Sequence, residues 1–201
     1  MKLYLIPSAC SLAAHIAVRE ANLDIELVKV DLRTRKLPDG RDYKNIAPKG
    51  QVAAMALESG DLLTENIAIL VYLSSLAPEC GLMPSVGTPE YFRTLEWLAF
   101  VSTEMHKQIF WTNFNPAAPQ EYKKHILSLL PKRFDTLEER LKGRDYISSN
   151  CFSVADAYLT WALHMIELIN VPINGWPTLE AYRTQMFRRP SVKMAMAFES
   201  Q

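Results

Sequence analysis

A segment rich in proline and glycine divides the sequence into two regions with different hydrophobic patterns. Residues 77–89 contain three prolines and two glycines, which interrupt helices and strands. Short strand-like runs alternate with helical ones before this segment, whereas the pattern after it is helical almost throughout. The sequence therefore predicts an α/β domain over residues 1–77, a linker over 78–88 and an all-α domain over 89–201.

The first region predicts a specific order of elements. Residues 3–6 and 25–31 indicate strands, with a helix over 11–21 between them. Two short apolar runs within residues 52–64 indicate a hairpin, and apolar residues at helical spacing follow over 65–76. A β-α-β unit followed by a β-β-α unit is the order of the thioredoxin-like fold.

Five helices are predicted in the second region, and one of them has a clear start signal. They cover about 89–112, 121–141, 154–168, 177–187 and 191–198. Ser153 is a good N-cap for the third of these helices, and Asp156 stands three residues further on. Each of these side chains can therefore bond the backbone N–H group of the other residue.

Composition argues against several functional classes. The 201 residues include 22 basic and 22 acidic side chains, so no net field attracts nucleic acid. No uncharged apolar run reaches the roughly 18 residues that a membrane span requires. Because the three cysteines lack C-x-x-C spacing, we expect neither a disulfide framework nor a metal site, and we expect a cytoplasmic location.

Cys10 is the first candidate for chemistry, because it lies between the first predicted strand and the first predicted helix. A helix N-terminus stabilises a thiolate, and the hydroxyl of Ser11 could donate to a sulfur. The alternative is a small buried apolar side chain, which is the usual role of cysteine outside disulfides. Cys80 and Cys151 have no such supporting pattern, and we expect them to be structural.

Two further positions carry groups suited to binding or proton transfer. His106 lies on a predicted helix and could act as a donor or proton shuttle near neutral pH, or it could be an ordinary packed residue. Glu65 lies where a strand passes into a helix. It could accept from a ligand ammonium group, or it could complement the helix dipole behind a Thr64 cap.

Eight short motifs, in order and without gaps, make the chain resemble the bacterial beta-class glutathione S-transferases. They are Ser8-Ala-Cys-Ser-Leu12, Val30-Asp-Leu32, Pro48-Lys-Gly-Gln-Val52, Leu63-Thr-Glu65, Ile69-x-x-Tyr-Leu73, Glu96-Trp-Leu98, Thr103-Glu-x-His-Lys107 and Phe152-Ser-Val-Ala-Asp-Ala-Tyr158. The resemblance implies a thioredoxin-like domain followed by an all-helical domain, a homodimer, and glutathione as cosubstrate.

The resemblance also implies roles for individual residues. Cys10 matches a cysteine at the glutathione sulfur, with Ser11 and His106 shaping its surroundings. The other implied glutathione contacts are the backbone of Val52 for the cysteinyl unit, Arg35 for the glycine end, Glu65 and Asn66 for the γ-glutamyl end, and Thr103, Glu104 and His106, some of them across the dimer. A tripeptide with charged ends needs an anion site, a cation site and a strand-like edge.

Three positions depart from the family pattern. Ala53 stands where the family almost always has a cis-proline, Ala99 where an asparagine often contributes to glutathione binding, and Asn66 replaces a serine or glycine. Cis bonds are rare before residues other than proline. The Val52–Ala53 bond is therefore either cis, or trans with a displaced Val52 edge that would weaken glutathione binding.

Together these features predict a glutathione transferase that acts on small hydrophobic electrophiles. Phe110, Trp111 and Phe114 are candidates for lining the pocket of the second substrate, or for ordinary helix packing. Thiol–disulfide chemistry at Cys10 is a further predicted activity. The alternative is a non-enzymatic scaffold or regulatory protein with weakened glutathione binding. At the dimer interface we expect Phe92, Leu95 and Val101.

Overall fold

A computed structural model describes all 201 residues, which form two compact units. Unit 1 comprises Met1–Met83 and Arg188–Gln201, and unit 2 comprises Pro84–Phe187. In chain order the elements are β1 (Lys2–Leu5), α1 (Ser11–Glu20), β2 (Glu26–Lys29), β3 (Ala54–Ala56), β4 (Leu62–Thr64), α2 (Asn66–Leu76), α3 (Pro89–Phe100), a π-helix (Val101–Trp111), α4 (Thr112–Phe114), α5 (Gln120–Leu127), α6 (Leu130–Leu141), α7 (Val154–Leu168), α8 (Pro177–Arg188) and α9 (Pro190–Glu199). Short 3₁₀ turns occur at Tyr43–Asn45 and Pro78–Cys80.

A four-stranded mixed sheet in the order β2-β1-β3-β4 forms the centre of unit 1. Leu3 of β1 lies opposite Leu27 of the parallel strand β2 and opposite Met55 of the antiparallel strand β3. Met55 in turn lies opposite Leu63 of β4. Parallel neighbours require a crossover, which α1 supplies, whereas the antiparallel pair needs only the short hairpin turn. The predicted thioredoxin-like order and the helical second region are confirmed.

Successive side chains of β1 lie on opposite faces of the sheet, as the twofold periodicity of a strand requires. Leu3 and Leu5 are fully buried. Tyr4, and Ile6 just after the strand, belong to an apolar cluster that contains the fully buried ring of Tyr43. The other buried members of this Tyr43 cluster are Val30, Leu37, Ala47 and Ala54, and the half-buried side chains of Ala9 and Val52 pack against it.

The C-terminal helix α9 is grouped with unit 1, whereas the sequence analysis placed residues 89–201 together. A buried polar network explains this difference. His15 Nδ1 lies 2.9 Å from Glu199 Oε1, and both side chains are almost inaccessible. Arg19 Nε donates to His15 Nε2 at 3.2 Å, so the proton on Nδ1 is the one shared with Glu199. Glu199 Oε2 also accepts from the Ser8 N–H at 2.8 Å.

Unit 2 is helical, but two predicted helices differ from the prediction. The one predicted over 121–141 is divided into α5 and α6, and the one before it changes its geometry. The predicted helix over residues 89–112 is α-helical only to Phe100 and continues as a π-helix over Val101–Trp111. Hydrophobic spacing cannot separate the two helix types, because both bury residues about four positions apart, here Val101, Met105 and Ile109. None of the helices is both long and apolar enough to cross a membrane.

The predicted capping box at the start of α7 is present. Asp156 is fully buried and its carboxylate accepts four hydrogen bonds, from the Ser153 N–H, the Ser153 hydroxyl, the Ile147 N–H and the Tyr182 hydroxyl, at 2.7–2.9 Å. The four hydrogen-bond donors favour the ionised form and lower the pKa of the Asp156 carboxyl. Burial has the larger effect, so the pKa is raised above its ordinary value. The carboxylate thus joins the preceding loop, the helix start and α8.

The apolar positions expected at a dimer interface differ in exposure. Phe92 is 59% exposed and Leu95 is half-buried. Val101 is fully buried within the chain, which corrects the expectation that its side chain contributes to an interface.

Candidate active site

Cys10 lies at the end of the loop that joins β1 to α1. Ser11, the first residue of α1, closes this loop, because its hydroxyl donates to the Ile6 carbonyl at 3.2 Å and accepts from the Ile6 N–H at 3.1 Å. Ser8 lies in the same loop with a φ of 61°, in the left-handed region. The single hydroxyl proton of Ser11 therefore goes to a backbone carbonyl. The hydroxyl is thus not directed at a sulfur, although the sequence suggested that it could be.

The sulfur of Cys10 faces the segment that precedes β3. Cys10 is 9% exposed, and its thiol donates to the Val52 carbonyl at 3.1 Å. The side-chain amide of Asn66 donates to the Cys10 carbonyl at 3.1 Å. Three residues that are far apart in the sequence, Cys10, Val52 and Asn66, are therefore brought together in unit 1. The peptide bond between Val52 and Ala53 is cis, which is the first of the two alternatives considered above.

Glu65 is the residue immediately before α2 and has an unusual backbone conformation. Its φ of 73° is uncommon for a residue other than glycine, and such outliers cluster at functional sites. No side chain caps α2, so Thr64 is not the cap that the sequence suggested. Instead Lys49 Nζ donates to both Thr64 Oγ1 at 3.0 Å and Glu65 Oε1 at 2.8 Å. Sequence reasoning missed Lys49, although it lies in one of the eight motifs.

Arg35 is half-buried in the loop that follows β2, and its φ is 57°. Its backbone carbonyl accepts from the Tyr43 N–H at 2.9 Å. The hydroxyl of Tyr43 donates to the Gln51 carbonyl at 2.8 Å. Burial raises the pKa of the Tyr43 phenol, while the positive charge of Arg35 acts in the opposite direction. Sequence reasoning missed Tyr43, and a large aromatic residue in an otherwise polar loop is the signal that could have found it.

The π-helix and α7 of unit 2 carry an aromatic cluster around His106. His106 Nδ1 lies 2.7 Å from the Tyr158 hydroxyl. The imidazole packs edge-on against the Trp161 ring, with 4.7 Å between the ring centres. Phe110 packs against the same Trp161 and is only 2% exposed. The structure therefore gives Phe110 a packing role. It leaves Trp111 and Phe114 each 54% exposed, with Lys107 Nζ 5.0 Å from the Trp111 ring centre.

Thr103 and Glu104, the other two predicted contacts in unit 2, already have partners within the unit. The Thr103 hydroxyl donates to the Ala99 carbonyl at 3.0 Å. Glu104 Oε2 accepts from the guanidinium of Arg133 at 2.7 Å, and Gln108 accepts from the same guanidinium nitrogen. Arg133 is 12% exposed, so Glu104 is its principal counter-charge.

Unit 1 thus assembles groups that suit a peptide-like thiol ligand. The thiol of Cys10 lies immediately before α1. The carboxylate of Glu65 lies immediately before α2, whose N-terminus no side chain caps, and Arg35 provides a positive charge. Helix N-termini bind carboxylates, guanidinium groups bind carboxylates, and backbone edges bind extended peptides. No three histidine, cysteine or acidic side chains lie close enough together to hold a metal ion.

Comparison with known proteins identifies the family. Residues 7–76 match the family described as "Glutathione S-transferase, N-terminal domain", and residues 94–190 match "Glutathione S-transferase, C-terminal domain". Glutathione S-transferase GstA of Escherichia coli O157:H7 is 39% identical over 199 residues, which cover 99% of this chain and 98% of that protein.

Two solved structures extend the comparison. A sphingomonad glutathione S-transferase in complex with glutathione is 40% identical with a TM-score of 0.94, covering 100% of this chain and 99% of that one. The beta-class enzyme of Sphingomonas chungbukensis is 38% identical with a TM-score of 0.93, covering 99% of this chain and 98% of that one. By sequence along its whole length and by fold, the chain belongs to the glutathione S-transferase family and, within it, to the bacterial beta class.

Proposed function

We propose that this glutathione S-transferase conjugates the thiol of glutathione to small hydrophobic electrophiles and that unit 1 binds the tripeptide. The observation that carries the proposal is the contact between the Cys10 thiol and the Val52 carbonyl at 3.1 Å. In this contact a sulfur-bearing side chain lies beside a backbone segment that we propose as the edge for an extended peptide. The sphingomonad relative, whose structure contains glutathione, supports this ligand.

In the proposed complex, each part of glutathione meets a group of matching chemistry. The cysteinyl unit pairs with the Val52 backbone as an added strand edge. The γ-glutamyl carboxylate faces the uncapped N-terminus of α2, and its ammonium group faces Glu65. The glycine carboxylate pairs with the Arg35 guanidinium. Asn66 acts through Cys10, whose carbonyl it holds.

The proposed reaction is a substitution or addition by the glutathione thiolate. The thiol first loses its proton to solvent, and the sulfur then forms a bond to the electrophilic carbon. In a substitution a leaving group departs with its electron pair, whereas in an addition the π-electron pair moves to the adjacent atom, which takes a proton from solvent. The thiol of Cys10 can turn from the Val52 carbonyl to donate to the anionic sulfur, which stabilises the thiolate before attack. We also propose His106, Thr103 and Glu104 as glutathione contacts, as the family resemblance implies.

The second substrate is proposed to be an aromatic or otherwise apolar electrophile. Trp111 and Phe114 are the exposed aromatic residues that support this choice, whereas Phe110 is buried against Trp161. We also propose a cytoplasmic homodimer, with the exposed ring of Phe92 at the interface. Light scattering at low micromolar concentration should then report about twice the chain mass of 22.9 kDa.

Thiol–disulfide exchange at Cys10 is a second proposed activity, and the position of Cys10 at the start of α1 favours it. The Cys10 thiolate would attack the glutathione sulfur of a disulfide between glutathione and a small substrate thiol, forming a mixed disulfide of Cys10 with glutathione and releasing the substrate as its thiolate. A second glutathione thiolate would attack the glutathione sulfur of the mixed disulfide, regenerating Cys10 and oxidised glutathione. Conjugation does not require this covalent step.

Retention on immobilised glutathione, followed by an assay with 1-chloro-2,4-dinitrobenzene, tests the proposal. We expect the chain to be retained and to form the dinitrophenyl conjugate. Arg35→Ala should weaken retention, and Arg33→Ala, an exposed arginine in the same loop, is the matched control. Absence of both retention and conjugation would contradict the proposed function. Retention without conjugation would favour the non-enzymatic alternative.

A further inference from the structure

Tyr43 joins two backbone segments of the proposed glutathione site, the one assigned to the glycine end and the one assigned to the cysteinyl unit. Its N–H donates to the Arg35 carbonyl at 2.9 Å, and its hydroxyl donates to the Gln51 carbonyl at 2.8 Å. Gln51 is the residue immediately before Val52. One side chain and its own backbone therefore connect the loop of the proposed carboxylate-binding arginine to the proposed peptide-binding edge.

The surroundings of Tyr43 make this connection rigid. The residue is fully buried at the centre of the Tyr43 cluster, with its ring 5.7 Å from that of Tyr4. Its carbonyl accepts from the N–H groups of Ile46 and Ala47, both at 2.9 Å. The half-buried side chains of Ala9 and Val52 pack against the same cluster. A buried, fully hydrogen-bonded ring has little freedom to move, so the two segments that it joins are held at a constant separation.

The conformation of Arg35 depends on the same residue. Arg35 has a φ of 57°, and its carbonyl is held by the Tyr43 N–H. Its own N–H donates to the Asp31 carbonyl at 3.0 Å. A left-handed residue is maintained only where its surroundings determine the backbone, and these two hydrogen bonds do so here. The direction of the Arg35 side chain therefore depends on the position of Tyr43.

We infer that Tyr43 is a positioning residue for glutathione, and that it sets the separation between the Arg35 guanidinium and the Val52 backbone edge. The inference rests on the proposed function, since it assumes that the glycine end and the cysteinyl unit bind at these two places. A ligand that spans both places gains from their correct spacing. A ligand that reaches only the Val52 edge does not need it.

Two ligands and two variants test the inference. Glutathione spans both places, whereas γ-glutamylcysteine lacks the glycine unit and would not reach Arg35. Tyr43→Phe removes only the hydroxyl that holds Gln51. Tyr182→Phe is the matched control, because it removes another buried tyrosine hydroxyl with a 2.8 Å hydrogen bond, here to Asp156 in unit 2. Both dissociation constants are measured by calorimetry for wild type and variants, at a temperature where all three proteins are folded.

In Tyr43→Phe we expect glutathione to bind about 3- to 10-fold more weakly, the effect of one hydrogen bond. Binding of γ-glutamylcysteine should change by less than about twofold, so the preference for glutathione falls. The KM for glutathione should rise with kcat nearly unchanged. Tyr182→Phe should keep the wild-type preference while lowering the free energy of unfolding. A purely structural role for Tyr43 would lower stability in the same way without changing the preference.

The inference is overturned if Tyr43→Phe keeps the wild-type preference for glutathione over γ-glutamylcysteine. It is also overturned if Tyr182→Phe loses as much of this preference as Tyr43→Phe does. If wild type binds neither ligand, the proposed function fails as well. If the wild type binds glutathione and Tyr43→Phe keeps the same preference, the inference fails but the proposed function stands. Should Tyr43→Phe not fold, hydrogen exchange of the wild-type peptide around Tyr43 decides the question. Glutathione should slow that exchange more than γ-glutamylcysteine does, and equal protection by both ligands would refute the positioning role.

Discussion

The thiol of Cys10 donates a hydrogen bond to the backbone carbonyl of Val52, with 3.1 Å between sulfur and oxygen. A carbonyl can accept from a thiol but not from a thiolate, so this contact stabilises the protonated side chain. The N–H of a bound cysteinyl unit would need the same carbonyl in the proposed complex. Ligand binding would then free the Cys10 thiol from the Val52 carbonyl, and the thiol could donate its hydrogen bond to the ligand sulfur.

Oxidised glutathione should form a mixed disulfide at Cys10. Oxidised glutathione bound at the Val52 edge would hold its disulfide beside the Cys10 sulfur. Cys80 and Cys151 are exposed and lie outside the proposed glutathione site. Intact-mass measurement should show one added glutathionyl unit, and peptide mapping should place it at Cys10. Cys10→Ala should abolish the addition and Cys151→Ala should not. Modification of Cys80 or Cys151 in preference to Cys10 would contradict this assignment.

Glu199→Gln should destabilise unit 1. The substitution removes the ionised acceptor shared by His15 Nδ1 and the Ser8 N–H, both within the network that joins α9 to α1. We expect the free energy of unfolding in urea to fall by about 1–3 kcal/mol. Glu180→Gln, at an exposed position on α8, is the control. Equal stability of Glu199→Gln and wild type would show that the network contributes little.

Asp156→Asn should destabilise unit 2 by about 3 kcal/mol, because the new amide group can no longer accept from all four donors around it. Asp145→Asn, an exposed position in the same loop region, should lie within about 0.5 kcal/mol of wild type. Urea unfolding of both variants measures the difference. A loss below about 1 kcal/mol would reduce Asp156 to an ordinary helix cap.

The raised pKa of Tyr43 predicts a loss of stability in alkaline solution. Below the ordinary tyrosine pKa of about 10, both folded and unfolded chains keep the phenol proton, and its contribution to stability is complete. Above that pH the unfolded chain releases the proton while the folded chain retains it. The free energy of unfolding therefore falls by up to about 1.4 kcal/mol per pH unit from this group.

Tyr43→Phe removes this titration. Its stability difference from wild type, measured in urea at pH 9, 10 and 11, should therefore shrink as the pH rises. Tyr122→Phe, which changes an exposed ring, serves as the control for the substitution itself. A difference between wild type and Tyr43→Phe that stays constant over this range would show that Tyr43 ionises equally in both states.

Trp111→Ala should raise the KM for an aromatic electrophile about tenfold, because the substitution removes apolar surface worth roughly 1.5 kcal/mol or more in contact with the substrate. Its dissociation constant for glutathione should stay near that of wild type. Phe110→Leu should act differently and lower stability, since the Phe110 ring is buried against Trp161. Tyr122→Ala, also at an exposed aromatic residue, is the control. An unchanged KM in Trp111→Ala would remove Trp111 from the second-substrate site.

Local patterns were enough to predict the elements and several of the residues that matter. Strand and helix periodicities identified β1, α1, β2 and α2 to within a few residues, because burial of one face imposes a period of two or 3.6. The capping box of Ser153 and Asp156 was visible because both partners lie within four residues of each other. Cys10 was recognised for the same reason, since its relation to the start of α1 is local.

The remaining features depended on how the folded chain packs its side chains, which no local pattern encodes. Ser11 bonds Ile6 instead of a sulfur, and Phe110 faces the interior while Trp111 faces outward, because the surrounding packing decides where each side chain points. Tyr43 and Glu199 are 8 and 191 residues away from their partners Gln51 and Ser8. The sequence alone determined which elements form and in which order. Only the tertiary structure decided which polar groups meet, because a buried donor takes the acceptor that the folded chain brings within reach.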